Sequence, residues 1–165
     1  MLYYIPVSDE PFELGGSSFA QLLNRIGTGI PGKVDPHYFQ KVFKGIQELI
    51  DQELVLAGHD ISAGGMITTL LEMVYPDNDT AFNIDITVFD EMDPVKVLFS
   101  EKPGLVIQVE QFEEVEATLD KEEIRYVKLG NIVRGRKSVI HLKEQDLELD
   151  KFELRDLWHR NLTYF

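Results

Sequence analysis

The sequence contains no cysteine, and this absence removes several kinds of chemistry at once. Disulfide bridges, zinc–thiolate centres and cysteine nucleophiles are all excluded. A chain without cysteine fits a reducing compartment, so we expect a cytoplasmic protein. The first residues, 1–7, lack the basic region and the cleavage site that are typical of a signal peptide.

Long apolar runs and an excess of positive charge are missing as well. No stretch approaches the ~20 apolar residues of a membrane-spanning helix, so we expect no membrane partner. Sixteen Lys and Arg stand against 29 Asp and Glu, which gives a net charge of −13. Nucleic-acid-binding proteins usually present a basic face, so we do not expect nucleic acid as a partner. An acidic chain that binds phosphate needs local positive charge from backbone amides, a helix terminus or a metal ion.

The order of helical and extended patterns predicts one α/β domain. A length of 165 residues suits a single domain. The predicted order, β-α-α-β-α-β-α-β-α-β-β-α, indicates a mixed β-sheet with helices packed on it. We expect residues 54–58 to form a buried strand. We also expect a turn at 134–136 to join two strands as a hairpin, and the acidic run 144–150 to lie on a solvated helix or loop face.

Two helical stripes stand out in the first third of the chain. Asp35 is a plausible N-cap, with Pro36 at the first helical position. The apolar residues that follow predict one buried stripe, formed by Tyr38, Phe39, Val42, Phe43, Ile46, Leu49 and Ile50. A shorter helix before it is expected to bury Phe19, Leu22, Leu23 and Ile26.

The segment from His59 to Gly65 combines several groups that suit a magnesium-nucleotide or a phosphate. The preceding strand should deliver the chain to the edge of the sheet, where ligands of open α/β sheets bind. Asp60 offers a carboxylate oxygen, which is the type of ligand that magnesium prefers. Ser62 offers a hydroxyl, and Gly64 and Gly65 allow the backbone to approach a ligand closely. The unpaired N–H groups of the next helix point to the same place.

A purely structural interpretation accounts for the same residues. Asp60 or Ser62 could cap the helix, which is a common role for both residue types. His59 could be a core histidine whose hydrogen bonds are satisfied. The residues alone leave both interpretations open, and the glycine pair favours a ligand.

Two further segments are candidates for the same site. Gly15-Gly16-Ser17-Ser18 is a second glycine-rich helix start and could hold an anion. It is not a Walker motif, because no Gly-Lys-Ser/Thr follows it, and a plain helix cap is the simpler explanation. Glu101 follows a short predicted helix and precedes a strand. It could face the site as a metal ligand or polar contact, but its spacing alone favours a solvated loop carboxylate.

Taken together in chain order, these three segments resemble the C-terminal synthetase domain of phosphoribosylformylglycinamidine synthase. That domain belongs to the aminoimidazole ribonucleotide synthetase superfamily. The matching motifs are Gly15-Gly16-Ser17-Ser18-Phe19-Ala20-Gln21, His59-Asp60-x-Ser62-x-Gly64-Gly65 and Leu98-Phe99-Ser100-Glu101, with the tail Leu154-Arg155-Asp156-Leu157-Trp158. The resemblance covers essentially the whole chain, and the ordered set of motifs is more specific than any one of them.

The resemblance implies an activity and roles for particular residues. The family enzyme is an ATP-dependent carbon–nitrogen ligase of de novo purine biosynthesis. It converts formylglycinamide ribonucleotide and glutamine into formylglycinamidine ribonucleotide, using ATP and magnesium. In the family motif the residue matching Asp60 is a magnesium ligand, the one matching Ser62 contacts the nucleotide, and those matching Gly64 and Gly65 are backbone contacts. Glu101 matches a family glutamate, and no catalytic residue is assigned to this chain.

Position 63 departs from the family pattern, because the chain has Ala63 where relatives often have Asp. The site would be weakened if that carboxylate helps to bind the metal or to orient the turn.

The resemblance further implies that residues 1–165 are one synthetase-type domain of a longer polypeptide. The glutaminase nucleophile is a cysteine, which this chain lacks, and the nucleotide-binding partner domain is also missing. The expected partners are small nucleotide substrates and the remaining synthetase and glutaminase domains, and the domain alone is expected to be inactive. Two alternatives stay open. One is a non-catalytic regulatory or structural nucleotide-binding domain, and the other is a different ATP-dependent synthetase or kinase of the superfamily.

Overall fold

Seven strands form one mixed β-sheet in the computed structural model, which describes residues 1–27, 29 and 32–162. The elements are β1 (Leu2–Pro6), α1 (Ser18–Leu22), α2 (Pro36–Asp51), β2 (Val55–Asp60), α3 (Gly65–Val74), β3 (Thr80–Asp85), α4 (Pro94–Phe99), β4 (Gly104–Val109), α5 (Phe112–Lys121), β5 (Val127–Arg134), β6 (Lys137–His141), β7 (Asp146–Asp150) and α6 (Lys151–Leu162). The strand order is β2-β4-β1-β5-β3-β6-β7. β3 and β6 run parallel, and the other paired strands run antiparallel. The predicted α/β class with a mixed sheet is confirmed.

The sheet separates two hydrophobic cores, and the central strand β1 contributes to both. Alternate side chains of a strand point to opposite faces. Leu2 and Tyr4 therefore pack into a core that includes α3 and α4 residues, while Tyr3 and Ile5 pack into a second core with α2 and α5. All four side chains are buried. Among the described residues, no helix combines the length and the apolar character that crossing a membrane requires.

The prediction of a buried strand at 54–58 is wrong in its burial. The strand β2 forms, but it lies at one edge of the sheet, pairs only with β4 and leaves residues 56–58 exposed. An apolar run is compatible with a central or an edge position, because strand propensity depends on the neighbours that pack around it. Those neighbours come from residues about fifty positions away.

The predicted hairpin around 134–136 is also wrong. The turn connects β5 to β6, but β3 lies between these two strands and pairs with both. The chain passes the start of β3 at this point, where the N–H of Gly135 donates to the carbonyl of Asp79 at 3.0 Å. The acidic run 144–150, expected on a helix or loop face, contains β7, which pairs with β6.

The two helical stripes are buried less completely than predicted. In α2 the buried apolar side chains are those of Val42, Ile46 and Leu49, whereas Phe39, Phe43 and Ile50 are about half exposed. α1 spans only residues 18–22, and the predicted partners Leu22, Leu23 and Ile26 are exposed. Seven stripe residues on α2 cover a wider arc than one contact with the sheet can bury.

A buried lysine at the start of α6 forms hydrogen bonds with the end of α3. Lys151 is almost fully buried, and its ammonium donates to the backbone carbonyls of Val74, Asp77 and Thr80. Val74 ends α3, so this ammonium satisfies a carbonyl that has no partner within the helix. Arg155 adds bonds to the carbonyl of Tyr75 and to Asn78.

Replacing Lys151 with Met should therefore destabilise the fold. The methionine fills similar volume but cannot donate, so buried carbonyls lose their charged donor. We expect the free energy of unfolding to fall by about 2–3 kcal/mol. Urea titration followed by circular dichroism measures this. Lys137→Met is the control, because Lys137 forms an exposed ion pair with Glu148 and should cost less than about 1 kcal/mol. Equal effects of the two substitutions would contradict the proposed role of Lys151.

Candidate functional site

Three segments of the chain meet where β2 ends and β4 begins. The two strands are antiparallel neighbours, and Asp60 lies opposite Leu105. The N–H of Ile61 continues this pairing by donating to the carbonyl of Gly104 at 2.8 Å. The turn 61–64 and the loop 100–103 are therefore adjacent because the register of the sheet requires it.

Glu101 ties the third segment to the other two. Its Oε1 accepts the N–H of Gly64 at 2.9 Å and the N–H of Ser18 at 2.8 Å. The rings of Phe19 and Phe99 pack nearby, with centroids 4.7 Å apart. The sequence-based expectation of a solvated loop carboxylate is thus wrong for Glu101, because one oxygen joins two helix starts.

The surroundings of Glu101 favour its ionised form. Burial acts to raise the pKa of this carboxyl, but the hydrogen bonds from Gly64 and Ser18 outweigh that effect, and the pKa lies below its usual range. Backbone N–H groups at the start of a helix carry partial positive charge, which a carboxylate neutralises. The anion at this junction is therefore supplied by the protein itself.

The start of α3 depends on glycine at two successive positions. Gly64 and Gly65 have φ of +90° and +75°, and the helix has no side-chain cap, so neither Asp60 nor Ser62 caps it. A Cβ on Gly65 would lie 2.7 Å from the carbonyl oxygen of Leu98 and 2.8 Å from the Cα of Phe99. Both are backbone atoms of α4, which cannot move as a side chain can. Close packing of α3 against α4 thus explains Gly65.

Asp60 and Ser62 project from this turn into solvent. The Asp60 side chain is 71% exposed, and its Oδ1 lies 3.5 Å from Nδ1 of the His59 ring. Ser62 and Ala63 are exposed too. Both side chains with predicted ligand roles are therefore accessible to a ligand that approaches from outside the domain.

His59 is held by protein groups on both sides of its ring. Nδ1 lies 2.7 Å from the carbonyl oxygen of Asp60, and Nε2 lies 3.2 Å from the Oε2 of Glu72. The hydroxyl of Thr69 donates to the same Asp60 carbonyl at 3.0 Å. These bonds favour the structural interpretation of His59, as a half-buried residue that fixes the turn.

Sequence reasoning did not identify Thr69 or Glu72. Both lie on α3 with a spacing of three residues, which places them on one side of a helix. Polar residues at this spacing in a mostly apolar helix were the available signal. Their targets, the Asp60 carbonyl and the His59 ring, depend on how α3 packs on β2.

The glycine-rich segment 15–18 acts as a helix cap. The Ser17 hydroxyl accepts the N–H of Ala20 at 3.2 Å and donates to the carbonyl of Leu14 at 2.6 Å. Gly16 has φ of +75° and is exposed, whereas Gly15 is buried with the carbonyl of Gly29 close by. The simpler interpretation of this segment is thus confirmed, and it adjoins the Asp60 turn through Glu101.

The described residues would supply only part of a metal shell. They contain no group of three or more His, Asp or Glu placed to hold a metal ion. Magnesium is commonly bound through one or two carboxylates, with substrate phosphates and water as the other ligands. The exposed carboxylate of Asp60 fits such a partial role.

Comparison with known proteins assigns the chain to a family. Residues 10–143 match the family model "AIR synthase related protein, C-terminal domain". The chain belongs to this family, whose matched region contains all three segments of the site.

Particular relatives extend the comparison. The chain is 32% identical to the probable chloroplastic/mitochondrial phosphoribosylformylglycinamidine synthase of Arabidopsis thaliana, over 96% of this chain and 11% of that protein. It is 36% identical to the major tegument protein of Epstein-Barr virus (strain AG876), over 59% of this chain and 7% of that protein. The chain thus spans about a tenth or less of these relatives.

A solved structure shares the fold. Thermotoga maritima PurL complexed with FGAR superposes with a TM-score of 0.75 at 17% sequence identity, covering 93% of this chain and 27% of that one.

Glu101→Gln should lower stability in a pH-dependent way. Because the folded pKa is depressed, the ionised carboxylate stabilises the fold above its unfolded pKa, near 4.5, and this contribution disappears as the pH falls through the folded value. We expect the variant to lose about 1–2 kcal/mol at pH 7, where it forgoes charge-assisted bonds. Urea titrations between pH 7 and pH 3 should show the difference from wild type closing below pH 4.5. A difference that stays constant with pH would contradict the role of the charge. Glu113→Gln, at an exposed position of α5, is the control.

Gly65→Ala should destabilise the turn more than Gly64→Ala. Both positions require left-handed backbone, which costs an alanine roughly 1–2 kcal/mol. At Gly65 the new Cβ also collides with α4 backbone, whereas at Gly64 its nearest atoms belong to the Thr68 side chain, which can rotate. Thermal unfolding of the two variants measures the difference. Equal losses would show that α3 and α4 separate easily.

Proposed function

We propose that this chain is one synthetase-type domain of an ATP-dependent carbon–nitrogen ligase of purine biosynthesis. The reaction converts formylglycinamide ribonucleotide and glutamine into formylglycinamidine ribonucleotide. ATP phosphorylates the amide oxygen, and ammonia derived from glutamine then displaces the phosphate. The substrates are those implied by the family resemblance and by the name of the Arabidopsis relative. They are proposed for this chain because it spans only 11% of that protein.

One observation supports the proposal most strongly. Three segments that are far apart in sequence come together through Glu101, and they are the segments that carry the family resemblance. A structural role alone would explain Ser17, which caps α1, and Gly65, which packs against α4. It does not explain why Asp60 and Ser62, on the same turn, project into solvent without capping the helix.

The residues of this turn have separable roles in the proposed site. Asp60 would hold magnesium, and Ser62 would contact the nucleotide. The backbone at Gly64 and Gly65 would pass close to the ligand, while His59, Thr69 and Glu101 would hold the turn in place. Magnesium, when bound, would neutralise phosphate charge and orient the transferred group.

This chain would supply one wall of the site, and other parts of the polypeptide would supply the rest. Residues 1–165 contain no cysteine, so the glutaminase nucleophile must come from elsewhere. The turn is exposed to solvent at Asp60, Ser62 and Ala63. We therefore propose that the remaining synthetase and glutaminase domains complete the enzyme, in the cytoplasm.

A non-catalytic role is the second candidate. The similarity to a viral major tegument protein, a relative not named for a reaction, favours it. In that case the domain would keep its fold and a structural nucleotide. Assays of the full-length protein with formylglycinamide ribonucleotide, glutamine and ATP separate the two, because only the ligase releases ADP and phosphate in step with product.

Asp60→Asn in the full-length protein should weaken binding of magnesium-ATP while the fold stays intact. The amide removes the negative charge that attracts the metal, and we expect the affinity to fall about tenfold or more. Isothermal titration calorimetry with ATP and magnesium measures the affinity, and circular dichroism checks the fold. Asp51→Asn is the control, because Asp51 is exposed at the end of α2. Unchanged affinity in Asp60→Asn would remove Asp60 from the metal shell.

A further inference from the structure

An apolar cleft of about 710 Å³ lies between α2 and the sheet, beside the candidate site. Its wall includes Phe39, Phe43 and Ile50 of α2, which are 50%, 56% and 47% exposed. Its floor is formed by β2 and β4, and it extends as far as Asp60. A patch of large apolar side chains beside a polar site usually marks a binding surface.

The floor of the cleft is open because of one glycine. Gly58 lies opposite Ile107, which packs into the core beneath α2, so position 58 faces the cleft. A Cβ at Gly58 would meet its nearest atom, Cγ2 of Ile107, at 3.6 Å, which is ordinary contact. Neither close packing nor a left-handed backbone thus requires glycine here. A larger side chain would fit, and it would fill part of the cleft.

The shape of the surface suits a polypeptide segment. Phe39 and Ile50 are eleven residues apart, or roughly 16 Å along a helix at 1.5 Å per residue. A segment of about five extended residues covers that length at 3.3 Å each. The outer edge of β2, which pairs with β4 alone, presents unpaired backbone groups beside the cleft. A nucleotide base would cover only part of this surface.

A second copy of the chain is a poor occupant. Each copy carries a net charge of −13, so two copies repel each other. The relatives, by contrast, are roughly eight to nine times longer than this chain, and they hold many segments that could cover the cleft.

We propose that the cleft between α2 and β2 docks an apolar segment of the remaining synthetase part of the same polypeptide. This inference rests on the proposed function, because it assumes that the chain is one domain of a longer enzyme. The segment pairs with the free edge of β2 and places an apolar side chain over Gly58, against Phe39 and Phe43. Its arrival would also bring the second wall of the site next to Asp60.

Hydrogen–deuterium exchange on the full-length protein tests this proposal. In the wild type, amides of residues 55–60 that do not bond to β4 should exchange at least about tenfold more slowly than those of an open edge. Phe43→Asp places a charge in the cleft, and Gly58→Leu fills its floor. Both should speed the exchange of β2 by a similar factor and leave β1 unchanged. Val88→Asp is the matched control, since Val88 is 50% exposed and does not line the cleft.

Several outcomes would overturn the proposal. Wild-type β2 amides could exchange as fast as an open edge, or the two cleft variants could behave like Val88→Asp. Protection that appears only with ATP and magnesium would identify a nucleotide as the occupant. Protection that rises with protein concentration, together with a doubled mass in sedimentation, would identify a second copy.

The assay of ligase activity is independent of these measurements. An active wild-type enzyme with an unprotected β2 would refute the docking surface alone. A protected β2 in a protein without ligase activity would refute the proposed function alone.

Discussion

The candidate site depends on the hydrogen bonds that the Glu101 carboxylate accepts from Ser18 and Gly64. Two helices start within reach of this carboxylate, and each would otherwise leave a backbone N–H unpaired at a partly buried junction. An anion satisfies both at once and offsets the partial positive charge of both helix ends. The turn that carries Asp60 is thereby fixed to α1 as well as to α3. Together with the register of β2 and β4 and the bonds of His59 and Thr69, this contact sets the position of the predicted ligand residues.

The sequence predicted the elements of the fold better than their arrangement. Local periodicity identified most helices and strands, because alternation and helical stripes depend on neighbouring residues. It did not predict that the strand near 54–58 is exposed, or that the two strands joined at 134–136 are not paired. Both results depend on which distant strand lies alongside. β2 is an edge strand because β4 has β1 as its other neighbour, and the turn after β5 cannot form a hairpin because β3 occupies the space.

In the candidate site too, the residue types were predictable from the sequence, whereas their contacts were not. The residue types at 59–65 indicated a phosphate or metal site, since their chemistry can be interpreted directly from the sequence. The supporting contacts could not be predicted in this way. Thr69 and Glu72 act through the packing of α3 on β2, and the need for glycine at position 65 arises from the backbone of α4.

The shortage of available positive charge explains why this part of the nucleotide site would need other domains of the enzyme. On the described segments that build the site, Lys96 lies 3.4 Å from Glu13, and the ammonium of Lys102 lies over the ring of Phe12. The His59 ring faces Glu72, and Glu101 already takes two backbone N–H groups. Little positive charge is left for a triphosphate. In such a site the compensating charge would come from magnesium at Asp60 and from the domain that docks beside it. The apolar cleft next to Asp60 would then contribute to nucleotide binding indirectly, by bringing that domain into place.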